Sequence, residues 1–122
     1  KSRNIHIYGE LHTVQPISAR YNTLVRNDRE YTIMKTENFG RVVQVEVGAL
    51  MVGKITNLHG ACRVFRGQEK GRFEFGGSTI VLLLQKDSVE LNGNILENTR
   101  RGLETPVKMG EYIAVAKHEY IK

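Results

Sequence analysis

The residues of this sequence whose types and spacing could do chemistry are Gly76, Gly77 and Ser78, followed by Thr79. Glycines allow backbone conformations that a Cβ would forbid, so the serine hydroxyl can be brought onto the carbonyl of the residue before it. Attack of Ser78 on the Gly77 carbonyl is the first step of a peptide self-cleavage. The same motif is also typical of an ordinary turn that leads into a strand, so both interpretations stay open at this point.

An apolar run directly follows this motif. Residues 79–84 read T-I-V-L-L-L, and an uncharged stretch rich in β-branched and aliphatic side chains indicates a buried strand or a buried helical segment. As a strand it is the least polar of the chain, so we expect it to be the most central. Ser78 would then be held where a flexible tip enters a rigid strand.

The remaining elements predict an all-β fold. Short β-rich runs with turn residues between them indicate strands at residues 5–8, 30–34, 41–47, 51–55, 63–66, 72–75, 79–84, 89–91 and 95–96. The dipeptide Asn92-Gly93 indicates a tight hairpin between the last two strands. Helical turns are expected only within residues 11–20 and 96–102.

Many short strands with glycine turns favour a compact barrel or sandwich. Residues 45–55 and 105–114 each place a glycine just before a short apolar strand. This weak repeat is compatible with the duplicated barrel-sandwich hybrid of lipoyl and biotinyl domains. Neither segment carries the exposed lysine hairpin of a carrier module, which disfavours that function.

Length and composition limit the possible classes of protein. The chain has 122 residues, of which 40% are hydrophobic, and this predicts a single domain over residues 1–122. No apolar run reaches the roughly 18 residues of a membrane-spanning helix. The single cysteine, Cys62, excludes an internal disulfide. No cluster of His, Cys and Asp has ligand spacing, so no metal site is predicted.

The charge pattern favours anionic partners over neutral ones. The formal net charge is +5, but the basic residues are scattered among acidic ones and form no run, which argues against a nucleic-acid partner. This sparse pattern is typical of a mixed, solvated surface, and among functional partners an anionic lipid surface fits it better than nucleic acid. We therefore expect a protein that is cytoplasmic or peripheral on the cytoplasmic face of the membrane.

Three segments resemble those of a known family. Residues 67–79 read G-Q-E-K-G-R-F-E-F-G-G-S-T, and residues 45–55 read V-E-V-G-A-L-M-V-G-K-I. A third segment, residues 9–16, reads G-E-L-H-T-V-Q-P and carries Gln15 where the family has Asn. In their order along the chain, 9–16, 45–55 and 67–79, the segments are similar to the C-terminal half of the phosphatidylserine decarboxylases. The resemblance extends over residues 9–115.

The resemblance implies a pyruvoyl-dependent carboxy-lyase that matures from a zymogen. Ser78 would cleave the bond after Gly77, giving a β-chain part that ends at residue 77 and an α-chain part of residues 78–122. Ser78 would become the covalent pyruvoyl cofactor, with Gly76 and Thr79 as supporting residues. The pyruvoyl group would form a Schiff base with the substrate amine and decarboxylate phosphatidylserine to phosphatidylethanolamine.

The resemblance also implies a base that this sequence lacks. The family activates its serine with a histidine supported by an aspartate, and both are expected upstream of Lys1, in an absent N-terminal part of the same enzyme. The histidines of this chain do not match that motif and are expected to be structural: His6, His12, His59 and His118. Glu69 receives no role, and Glu74 is expected to face solvent because it alternates with Phe73 and Phe75.

Two alternatives to phosphatidylserine decarboxylation remain open. A member of the same family could decarboxylate a soluble amino acid. The chain could also be a non-catalytic β-domain that keeps the scaffold and does not process itself. Exposed strand edges in either case would favour a homodimer.

Overall fold

The computed structural model describes residues 2–7, 26–49, 54–74 and 78–117. In this part of the chain eight strands and one helix follow in the order β1 (Ser2–Ile7), β2 (Arg29–Lys35), β3 (Arg41–Val47), β4 (Ile55–Asn57), β5 (Gly71–Phe73), β6 (Thr79–Leu84), β7 (Val89–Leu91), α1 (Gly93–Arg100) and β8 (Ala114–Ala116). The predicted all-β class is confirmed.

The described strands form three sheets. The largest has the order β1-β2-β3-β6, and its first two strands are antiparallel with Ser2 opposite Met34. The strands β4 and β5 pair antiparallel with Ile55 opposite Phe73, and β7 pairs with β8 in the same sense. These sheets are open, and no closed barrel forms among the strands that the structure describes.

The chain divides into two compact units. The first comprises residues 1–35 and 42–83, and the second comprises residues 36–41 and 84–122. The first unit therefore contains most of the four-stranded sheet together with the β4–β5 pair. The second unit contains β7, α1 and β8.

Strand β3 and the residues after it form the centre of the first unit. Val42, Val47 and Ala49 are buried. The buried side chain of Asn27 donates a hydrogen bond to the Gly48 carbonyl at 2.8 Å, and the Gly48 N–H donates to the Asp28 carbonyl at 2.8 Å. These bonds satisfy polar groups that would be costly to bury unpaired. They fix the segment before β2 against the end of β3.

Strand β6 is not the central strand that its composition predicted. It lies at the end of the described sheet order, beside β3. Ile80 and Leu83 are each 55% exposed, although a continuously apolar strand is typical of one covered on both faces. The prediction of centrality was wrong because composition reports which environment a strand suits, not which neighbours it has.

The predicted hairpin at Asn92-Gly93 was also wrong, since a helix begins there. Asn92 caps α1, and its side chain accepts a hydrogen bond from the Asn94 N–H at 2.9 Å. Asparagine suits helix N-caps as well as tight turns. The predicted strand at residues 95–96 lies inside α1, while the predicted helical turn at 96–102 overlaps it.

A left-handed glycine ends α1. Gly102 has φ of 70°, and its N–H donates to the Thr99 carbonyl at 3.0 Å. The Leu103 N–H then donates to the Asn98 carbonyl at 2.8 Å. This pair of bonds is a Schellman motif, which satisfies carbonyls that the helix leaves open at its C-terminus.

Other strand predictions are confirmed in part. The structure has strands at residues 29–35, 41–47, 79–84 and 89–91 close to the predicted bounds. Residues 63–66 are not a strand; they lead instead into a turn at residues 66–67. Residues 8, 11–20, 51–53 and 75 carried predictions that lie outside the described residues.

Candidate functional site

Ser78 lies immediately before β6, at the strand entrance that the sequence predicted. The residue is half-buried. Its Oγ is buried and has no hydrogen-bond partner among the described residues. A serine that merely caps a turn would normally use its hydroxyl locally. The Ser78 hydroxyl is therefore held out of water without a structural bond in this part of the chain.

The rest of the predicted motif is described only in part. Thr79 is the exposed first residue of β6. Gly76 and Gly77, the supporting residue and the carbonyl donor of the predicted cleavage, lie outside the described residues. The structure thus gives the position of Ser78, the candidate nucleophile, and of β6, the strand that follows it.

An ion pair joins β3, the strand next to β6, to the residue that precedes β5. The Glu46 carboxylate, on β3, contacts Lys70 Nζ at 2.7 Å, with side chains 7% and 25% exposed. Gln44 Nε2 donates to the same Glu46 oxygen at 2.7 Å. The other oxygen of Glu46 is buried without a hydrogen-bond partner in the described ranges. Of the two Glu46 carboxylate oxygens, Oε1 is therefore bound by Lys70 and Gln44, whereas Oε2 has no such contact in the described ranges.

The network continues from Lys70 to two further strands. Lys70 Nζ also donates to Asn57 Oδ1 on β4. Asn57 Nδ2 donates in turn to the Glu30 carboxylate on β2 at 2.6 Å. The side chains of Glu30, Asn57, Lys70 and Glu46 therefore connect β2, β3, β4 and the residue before β5. Inside a protein such connected polar groups reinforce each other electrostatically.

A pocket opens beside this network. Its walls combine the ion pair with polar groups and an apolar side that includes residues of β4, β5 and β6. The lining residues are Gln44, Glu46, Ile55, Thr56, Asn57, Lys70, Gly71, Arg72, Phe73 and Ile80. Since Ile80 follows Ser78 by two residues, the pocket reaches the strand that begins directly after the candidate nucleophile.

The two glutamates that precede the motif in sequence make separate contacts. Glu74 is paired with Lys54 at 3.3 Å and is about one-third exposed, so the expected solvent-facing position is met in part. Glu69 is exposed, and its carbonyl lies 3.1 Å from His59 Nε2. The contact of Glu69 is thus made by its backbone.

The remaining candidates take no part in the described site. His59 is half-buried, and its Nε2 lies 3.2 Å from Gln68 Nε2. Cys62 is a half-buried free thiol. The side chain of His6 and the residues His12 and His118 lie outside the described part. No group of three or more His, Cys, Asp or Glu side chains in the described ranges is arranged to hold a metal ion.

Sequence reasoning missed Glu46 and Lys70. By alternation Gln44 and Glu46 share one face of β3 with Val42, and Val43, Val45 and Val47 lie on the other. A face with two polar residues out of three favours contact with solvent. Instead Glu46 is 5% exposed; Lys70 compensates its charge, and Gln44 donates a hydrogen bond to it. The only signal was a lysine between Gly67 and Gly71 in the family-like motif.

Comparison with known proteins identifies the family. The family model described as phosphatidylserine decarboxylase matches residues 2–115. The chain belongs to the phosphatidylserine decarboxylase family. This confirms the resemblance that residues 45–55 and 67–79 indicated.

Curated relatives bear the family name. The chain is 55% identical over 109 residues to "Phosphatidylserine decarboxylase proenzyme 2" of Clostridium acetobutylicum, covering 88% of this chain and 37% of the relative. It is 45% identical over 111 residues to the phosphatidylserine decarboxylase proenzyme of Ruminiclostridium cellulolyticum, covering 88% and 37%. It is 41% identical over 115 residues to that of Clostridium perfringens strain ATCC 13124, covering 92% and 39%.

These phosphatidylserine decarboxylase relatives are longer than the chain. It spans 37 to 39% of the length of the three named above. No solved structure gives a significant match to it. Within the described part, no helix has the length and apolar character required to cross a membrane.

Proposed function

We propose that this chain is the self-processing portion of a phosphatidylserine decarboxylase, in which the Gly77–Ser78 bond is cleaved and Ser78 becomes a pyruvoyl group. The observation that carries the proposal is the Ser78 hydroxyl. It is buried, has no hydrogen-bond partner in the described structure, and precedes the rigid strand β6. A chain of this family with such a serine in its G-G-S-T motif fits the precursor of that group.

Self-cleavage can be written with this chain's own atoms. Ser78 Oγ adds to the Gly77 carbonyl carbon and the Ser78 nitrogen leaves, so that the amide becomes an ester. Loss of the Ser78 α-proton then breaks the Cβ–Oγ bond, and the Gly77 carboxylate departs. Water then hydrolyses the resulting dehydroalanine. The water oxygen takes the place of the nitrogen, and the nitrogen leaves as ammonia. No oxidant or reductant is needed.

The residues around Ser78 assist this chemistry by position. Burial of Oγ keeps water away from the hydroxyl and strengthens any hydrogen bond made to it. Strand β6 fixes Ser78, whereas Gly76 and Gly77 give the preceding backbone the freedom to turn its carbonyl towards Oγ. Serine is a weak nucleophile without a base, so self-cleavage also requires a group that accepts the proton of the Ser78 hydroxyl.

The proposed substrate is phosphatidylserine. The pyruvoyl group supplies a carbonyl that serves as an electron sink while CO₂ leaves, in place of pyridoxal phosphate. The product is phosphatidylethanolamine. The names of the relatives support the phospholipid over a soluble amino acid. The positive charge of the chain also suits an anionic lipid surface.

Intact-mass analysis of the full-length proenzyme that carries this sequence tests the proposal. We expect two chains that divide between Gly77 and Ser78. The C-terminal chain should be lighter by one ammonia than simple hydrolysis would give, and it should react with phenylhydrazine. Ser78→Ala should leave the proenzyme uncut, because it removes the attacking hydroxyl.

Ser88→Ala is the matched control. Ser88 is a buried serine of the described chain whose Oγ donates to the Gln85 carbonyl at 2.7 Å, so it has a structural bond that Ser78 lacks. This variant should still be cleaved. An uncut wild-type proenzyme, or a C-terminal chain that begins with unmodified serine, would contradict the proposal.

A further inference from the structure

The ion pair between Glu46 and Lys70 is an unusual feature of the first unit. Glu46 is 5% exposed, and its carboxylate lies 2.7 Å from Lys70 Nζ. Taking a charged side chain out of water is costly, and the attraction to its partner often no more than offsets that cost. Net stability is therefore a poor explanation of the pair, and its geometry is the better guide to its role.

The pair holds the chain just before the cleavage motif. Lys70 directly precedes β5, and only residues 74–78 separate β5 from β6. Lys70 is bound to Glu46 of β3 and to Asn57 of β4. Gly71 follows at once, and a Cβ there would collide with the Thr56 carbonyl oxygen. The start of β5 is thus fixed by a side-chain pair and a close backbone approach.

The other side of the motif is held by the same strand. Strand β6, which starts directly after Ser78, lies next to β3 in the sheet. The pocket that contains Glu46 and Lys70 is also lined by Phe73 and Ile80, one from each flank of the motif. Both flanks of residues 74–78 are therefore held at β3, one by sheet pairing and one by the ion pair.

We propose that Glu46 and Lys70 are a positioning pair for self-cleavage: by fixing the flank before Gly76, they set how the Gly77 carbonyl meets Ser78 Oγ. This inference rests on the proposed function. The pair acts through the backbone and donates nothing to the reacting atoms. After the Gly77–Ser78 bond has been cut, the pair has no part in the decarboxylation that follows.

The test compares cleavage with later catalysis in the full-length proenzyme. We expect Glu46→Gln and Lys70→Met to slow the conversion of proenzyme into two chains by about 10- to 100-fold, since a misplacement of about 1 Å can cost about 100-fold. Decarboxylation per hydrazine-reactive pyruvoyl should stay within about twofold of wild type, a change of less than about 0.5 kcal/mol. Lys70→Arg, which keeps the pairing with Glu46, should recover most of the cleavage rate.

Two further variants separate positioning from stability. The double variant Glu46→Leu/Lys70→Met replaces the pair with apolar groups, which often leaves stability unchanged or raised; it should fold and still cleave slowly. Glu74→Gln removes the exposed pair with Lys54, which lies on the same flank. It should cleave at the wild-type rate.

The results distinguish the two proposals. Failure of the wild-type proenzyme to divide at Gly77–Ser78 would overturn both. If the wild-type proenzyme is cleaved and the double variant is cleaved equally fast, only the proposal of a positioning pair is overturned. The pair would also be refuted if cleavage and decarboxylation per pyruvoyl fell in parallel with melting temperature, because that pattern reports a purely structural role.

Discussion

Gly71 has no room for a side chain. A Cβ at this position would collide with the Thr56 carbonyl oxygen and approach the Asn57 Cα and Oδ1 at 3.1 Å each. The glycine lies in β5 opposite Asn57 of β4, and glycine in a strand often marks such a close approach of two backbones. Its neighbour Lys70 donates to that same Asn57. Gly71 therefore maintains the spacing on which the buried network depends.

Replacing Gly71 by alanine should destabilise the protein by about 1–3 kcal/mol, because backbone atoms must move to admit the methyl group. Urea denaturation of the variant and of wild type measures the difference. Gly60→Ala is the control, since no atom lies within 4 Å of a Cβ built there, and it should change stability by less than about 0.5 kcal/mol. Equal urea midpoints for Gly71→Ala and wild type would contradict the prediction, because β4 and β5 would then admit the methyl group at no cost in stability.

At the level of elements, Asn92 joins the start of α1 to the segment that leads into β8. Asn92 is the N-cap, and its side chain accepts from the Asn94 N–H at 2.9 Å. The Asn92 N–H donates to the Ile113 carbonyl at 2.9 Å, which ties the start of the helix to the approach of β8. The same residue thus serves both the helix and the β7–β8 sheet of the second unit.

Asn92→Ala should therefore cost about 1 kcal/mol through loss of the cap. Asn92→Asp keeps an accepting oxygen and should be close to neutral. Asn94→Ala, an exposed position inside the helix, is the matched control and should leave stability unchanged or slightly raised, because alanine has the higher helix propensity. Thermal unfolding followed by circular dichroism measures all three. A loss for Asn94→Ala as large as for Asn92→Ala would contradict the capping role.

The elements that could be predicted from the sequence are those with strong local patterns. Strands β2 and β3 were predicted within one residue at each end, since their β-rich runs are bounded by turn residues. Ser78 was placed correctly at the start of β6 for the same reason. Local pattern does not determine which strands become neighbours, so the position of β6 at the end of the described sheet order was missed. It also does not report partners, so the sequence assigned no role to Glu46, whose carboxylate lies 2.7 Å from Lys70 Nζ.

At the level of the whole chain, a large apolar surface remains exposed. In the first unit Ile80, Leu82 and Leu83 of β6 are exposed to 55%, 43% and 55%. In the second unit the large hydrophobic residues exposed by more than half include Val107 and Met109. Apolar strands of this kind favour association with other chains.

The chain of residues 1–122, prepared by itself, should therefore self-associate in solution. Sedimentation or size-exclusion measurements should give an average mass above the 13.9 kDa of one chain, increasing with concentration. Leu83→Lys should lower this association, because it places a charge on the exposed strand. Leu103→Lys is the control, since Leu103 is 50% exposed but lies outside the strands. A strictly monomeric wild type would refute the prediction.

The pairing of β6 with β3 has one more consequence if the chain is cut after Gly77. Strand β3 would then belong to one product chain and β6 to the other. The backbone hydrogen bonds that join two strands of one fold would become a subunit interface, formed before the subunits exist as separate molecules. Such a heterodimer never has to find its partner by diffusion, and its two chains could be mixed with those of another molecule only after unfolding.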